Sequence, residues 1–215
     1  MQAIMQAMRQ LVLVTIALCL SSQISASCAQ PVEKRIGLVI GNAAYQTGAL
    51  ATTANDAGLV AQTLQAAGFD VVGARDLDEE SLRHAVRDFI DKAVAAGPDA
   101  VIFVYFAGYG LQLEGENYLV PIDAKIERDS DVPVRGLRVY DFVVRTLAAL
   151  QPKASFFVLD AARTNPFARS GQPLAGGLAL MEPPPGMLIV PFGVPNPRLQ
   201  AKRRVDEVAL CDDID

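Results

Sequence analysis

The chain has 215 residues, 51% of them apolar, with 19 Lys and Arg against 24 Asp and Glu, a net charge of −5. This length fits one domain with a sizeable core plus processing segments, and the acidic balance argues against a general nucleic-acid binder. One histidine and three cysteines give neither a disulfide framework nor a zinc-type ligand set, so no metal or other cofactor is expected.

Residues 1–29 read as a secretory signal. Arg9 supplies the early positive charge, Leu11 to Leu20 form a ten-residue apolar run, and Ser27, Cys28 and Ala29 offer small residues for a cut before Gln30. Export to the periplasm or the exterior is therefore expected, with lipid anchoring through Cys28 as the alternative. A buried N-terminal helix is the structural alternative. Removing this segment takes away Arg9 and leaves 18 basic against 24 acidic residues. No apolar run long enough to span a bilayer follows residue 30.

Ile36 to Gly41 is a nearly continuous apolar run, as in a strand buried on both faces. Asn55 to Gly68 repeats small and apolar residues at helical spacing, with Asn55 or Asp56 as the cap and Gly68 as the stop. Phe69 to Val72 makes a brief second strand. Asp78 caps a second helix whose inward stripe is Leu82, Val86, Phe89, Ile90 and Ala93, ended by Gly97.

Ala100 to Phe106 is the strongest strand, and Leu111 to Asp123 reads as a hairpin turning near Glu114–Glu116. Val139, Phe142, Val143, Thr146, Leu147 and Leu150 mark a third helix. Ala154 to Leu159 and Met187 to Pro191 are the last strands. Alternating strands and helices predict an α/β three-layer sandwich, its sheet mostly parallel and flanked by helices. In such sheets the working residues stand just past the carboxyl ends of the strands. Three places qualify: Gly41-Asn42, residues 107–110 and residues 160–163.

Those strand ends resemble the caspase and metacaspase-like cysteine peptidases. The resemblance runs through residues 35–45, 54–57, 103–110, 117–124 and 159–167, covering about residues 34–193 as one domain and leaving 194–215 as a divergent tail. The family works with a histidine base and a cysteine nucleophile. The resemblance implies that Tyr109 stands at the histidine position and Ala162 at the cysteine position, 53 residues apart. An alanine methyl cannot attack an amide, and a phenol with a pKa near ~10 is a poor base at neutral pH.

The resemblance also implies that the backbone N–H groups of Gly110 and Ala162 form the oxyanion hole. Asp56 and Asp160 would form an acidic pocket for Arg or Lys, unless Asp56 caps its helix and Asp160 braces a turn. Ser155 and Thr164 have no histidine nearby to activate them, and His84 reads as a solvated surface residue. The expected function is an inactive pseudopeptidase that binds a basic peptide or protein partner. The alternatives are an active cysteine endopeptidase cleaving after Arg or Lys, and a truncated family member without function.

Overall fold

The computed structural model of the protein describes residues 33–163, 165–167 and 177–193. The expected signal segment with Cys28, Thr164 and the tail 194–215 lie outside the described residues.

The apolar run after Arg35 becomes strand β1 (Arg35–Gly41), buried at every residue but the first. A strand so buried needs neighbours on both sides and layers on both faces. It pairs in parallel with β2 (Asp70–Arg75) and with β3 (Val101–Ala107). β7 (Ala154–Ala162) continues the sheet beside β3, and β8 (Met187–Gly193) lies beside β7. The order is β2-β1-β3-β7-β8, and every pairing is parallel.

Helix α1 (Thr53–Ala66) crosses from β1 to β2, and α2 (Glu79–Ala96) from β2 to β3. On one face, Leu38, Ile40, Val104, Phe106 and Leu159 meet Leu82, Val86 and Phe89 of α2. On the other, Val39, Tyr105 and Ala107 meet Ala57 and Leu64 of α1. Each such buried Leu or Phe contributes roughly 1.5–3 kcal/mol. The α/β sandwich with a largely parallel sheet is thus present.

The expected hairpin forms as β4 (Gly110–Leu113) and β5 (Glu116–Leu119). Its turn uses Glu114 and Gly115, both with positive φ (52° and 86°), the geometry a two-residue hairpin loop requires. β6 (Leu137–Arg138), preceded by a short helical turn α3 (Val132–Arg135), adds a third antiparallel strand. Neither element is foreseen from the sequence.

Other elements shift. α1 starts at Thr53, and neither Asn55 nor Asp56 caps it; Asp56 lies inside the first turn, its N–H donating to the Thr52 carbonyl. The second helix matches expectation, with Asp78 accepting from the Ser81 N–H at 2.8 Å. β2 extends to Arg75, and β7 runs three residues past Leu159.

The third helix is not continuous: a π-type turn (Tyr140–Val144) leads into α4 (Arg145–Ala149). The wider turn shifts the helical phase. It buries Val143 and Val144 together and leaves Phe142, expected inside, 51% exposed beneath the Arg83 guanidinium. Among the described residues no strand lies beyond β8, which carries Pro191 near its end. The Ser155 N–H donates to the Gly186 carbonyl. Strand alternation then turns the backbone polar groups of Met187, Ile189 and Pro191 away from β7.

Candidate functional site

The three strand ends singled out in the sequence stand side by side. Gly41 is level with Ala107, and Ala107 with Asp160. Two backbone bonds stitch the tips: the Asn42 N–H donates to the Ala107 carbonyl at 2.8 Å, and the Gly108 N–H to the Asp160 carbonyl at 3.2 Å. Because β7 continues to Ala162, Asp160 and Ala162 belong to the strand itself and not to a loop beyond it. A register shift between Asp160 and Ala162 marks the place where the ladder to β8 loosens.

Glycine at 108 and 110 lets the backbone approach its neighbours more closely than any side chain would allow. A Cβ on Gly108 would sit 2.5 Å from the Tyr45 hydroxyl, and one on Gly110 would sit 2.7 Å from Leu178 and 3.0 Å from the Ala161 Cβ. Gly108 therefore presses against Tyr45 and Phe106, and Gly110 against Ala161 near the end of β7.

Tyr109 points into an aromatic cluster. Its ring packs edge-on to Tyr45 at 4.7 Å and to Phe167 at 5.7 Å. Its hydroxyl donates to the Gly48 carbonyl at 2.7 Å. Its backbone N–H donates to the Tyr45 hydroxyl, which in turn donates to the Val120 carbonyl at 2.9 Å. Burial pushes both phenols up from their ordinary pKa, so neither takes part as a phenolate near neutral pH.

The Tyr109 side chain thus ties the loop after β1 to the tip of β3. Tyr109→Phe removes that one bond and leaves the ring in place. The expected cost is about 1 kcal/mol, read as a lower midpoint in urea unfolding with unchanged slope.

A second group of polar side chains gathers on the α1 face of the same tips. Asp160 pairs with Arg163, with Nη2 3.0 Å from Oδ1, and Arg163 Nε also donates to the Gly108 carbonyl at 3.2 Å. The buried Tyr105 hydroxyl lies within the field of both Asp160 and Asp56. Burial first, and then these two carboxylates, push its pKa up to about 12. Asp56 sits in the first turn of α1, and no hydrogen bond or ion pair of its carboxylate occurs among the described residues.

The Asp56 side chain is therefore not spent on a helix cap, whereas Asp160 is engaged by Arg163. The sequence reading missed Tyr105; it included Arg163 in the 160–163 strand end, without its partners Asp160 and Gly108. Strand alternation carried a signal for Tyr105, which shares a face with Ala107 at the tip of β3.

Ser155 is buried near the start of β7, at the opposite end of the strand from the tips. His84 is exposed on α2. A groove of about 390 Å³ lies between α1 and β2, lined by Ala54, Ala57, Gly58, Gly73 and Arg75 among others, and includes neither Asp56 nor Asp160. Among the described residues no helix is long and apolar enough to cross a membrane.

The family described as "Caspase domain" matches residues 34–205, a span that contains all three strand tips. The chain belongs to the caspase domain family. No curated protein matches it. Among solved structures, the caspase-domain chain is similar to protein GSU0716 from Geobacter sulfurreducens, at 16% identity and a TM-score of 0.47. That likeness covers 61% of this chain and 51% of the other, so the chain spans about half the length of that protein. The caspase-domain membership makes the chain a relative of peptidases and places its sheet in a known architecture.

Proposed function

We propose that this caspase-domain chain is an exported, catalytically silent relative that binds a basic segment of a peptide or protein. The observation that carries the silence is the bond from the Tyr109 hydroxyl to the Gly48 carbonyl. The side chain at the position matched to the family's base is buried, protonated and committed to a structural bond. The position matched to the nucleophile is Ala162, which offers no lone pair. Loss of either reactive group typically lowers kcat by about six decades, and losing both costs little more because they act together.

The observation that supports binding is the Asp56 carboxylate, which has no hydrogen bond or ion pair among the described residues and shares the field at Tyr105 with Asp160. A carboxylate in that position favours a guanidinium or ammonium through charge-assisted hydrogen bonds.

The purified protein is expected to leave Arg- and Lys-terminated reporter peptides uncut. It is expected to bind an Arg-terminated peptide, with affinity lowered roughly ten- to hundredfold in Asp56→Asn. Both are checked by fluorogenic assay and by isothermal titration. Turnover by the native protein would establish the active-peptidase alternative. Absence of both turnover and binding would establish a family member without this function.

A further inference from the structure

A pocket with two carboxylates is strongly attractive to a cation only while both carboxylates are available. Here Asp160 and Arg163 face each other at 3.0 Å, each side chain 26% exposed. The same guanidinium holds the Gly108 carbonyl with its Nε. It therefore spans the tips of β3 and β7, the two strand ends that would receive a ligand. A guanidinium offers a rigid fork of donors, and this one uses donors on both Asp160 and Gly108. Asp56, on α1, is left outside that arrangement. Two carboxylates and one guanidinium leave a net charge of −1, enough to favour one incoming cation.

We infer that Arg163 is a built-in competitor for the basic ligand: its guanidinium fills the Asp160 half of the acidic pocket, so an incoming Arg or Lys side chain is read by Asp56 and the Tyr105 hydroxyl. This rests on the basic-segment reading above and specifies how that site is regulated. The pocket is held at reduced affinity by the chain's own side chain. A ligand that engages both carboxylates competes with Arg163 for Asp160, whose Oδ1 the guanidinium holds. A partly exposed ion pair of this kind is weak enough to be opened by a ligand.

The test is titration of an Arg-terminated peptide into the full-length protein and its variants. Arg163→Gln is expected to tighten binding roughly two- to fivefold. That gain is expected to vanish in the double variant Arg163→Gln with Asp160→Asn, because the carboxylate released by the first change is removed by the second. A merely structural brace predicts the opposite sign, since its loss loosens the tips and weakens binding.

Arg163→Lys keeps the charge but loses the fork, and is expected to tighten binding by a smaller factor. It carries the test where the glutamine variant does not fold. Unchanged or weaker affinity in the folded Arg163 variants, with the native protein still binding, overturns the competitor role alone. Absence of peptide binding in the native protein and in all variants overturns the basic-segment reading and this inference with it.

Discussion

A variant carrying both Tyr109→His and Ala162→Cys is expected to be labelled at residue 162 by an Arg-bearing peptide chloromethyl ketone, while the native protein takes up none. The backbone at 109 is held independently of the side chain, through its N–H to the Tyr45 hydroxyl. Next to it, Gly110 lies close against Ala161 of β7. A histidine at 109 therefore starts from the backbone position tyrosine occupies now.

Ala162→Cys alone supplies a thiol without a base, and is expected to react roughly 10²–10⁴ more slowly than the double variant. Replacing the phenol gives up its bond to Gly48 and some packing against Tyr45 and Phe167, so a lower melting temperature accompanies the gain in reactivity. Intact-mass spectrometry reads the outcome. Labelling of the native protein would end the silent-relative reading. A folded double variant that stays unlabelled would mean that the two tips do not form a reactive pair.

The second large effect is on stability. Asn42→Ala is expected to destabilise the fold by roughly 2–4 kcal/mol, the range for breaking a buried hydrogen-bond network. Asn42 is fully buried at the end of β1. Its side-chain carbonyl accepts from the Leu77 N–H at 2.9 Å, and its amide nitrogen donates to the Leu77 and Val120 carbonyls at 3.4 Å each. Its backbone carbonyl accepts the Thr53 hydroxyl at 3.0 Å.

One residue thus joins the end of β1, the lead into α2, the strand end after the hairpin and the start of α1. Alanine strands the Leu77 N–H in a place where water has little access, and an orphaned buried donor costs its full desolvation. Asn42→Asp keeps the acceptor but adds a buried charge, and is expected to be no better tolerated. Chemical denaturation followed by circular dichroism gives both values. A loss under 0.5 kcal/mol would show the network to be dispensable.

Much of the sheet was legible because its central strands are continuous apolar runs, and only a parallel, doubly covered strand needs that pattern. β1 and β3 are instances. β2 ends at Val72 in the sequence pattern because Gly73 and the half-buried alternation of an edge strand weaken the signal beyond it. The π-type turn at Tyr140–Val144 was not legible. One inserted residue changes the helical phase without changing composition, so Phe142 and Val144 exchanged places relative to the expected stripe.

At the tips, residue types and spacing marked where to look, at Gly41, at residues 107–110 and at residues 160–163. They did not reveal what holds what. The Arg163 pairing with Asp160 depends on the strand continuing through residue 162, and the Tyr109 bond to Gly48 joins residues 61 positions apart. Such partners become visible only once the chain has closed.

Pro191 has a consequence for how molecules of this protein meet one another. β8 displays Leu188 and Phe192 with about half of each surface open to solvent, an apolar strand of the kind that invites pairing with another chain. An added strand uses the amide donor of each outward residue, here Met187, Ile189 and Pro191, and the pyrrolidine ring leaves the last of these without one. Among the described residues β8 is the last strand on its side of the sheet, so a strand laid along it from another copy would meet a ladder interrupted at Pro191.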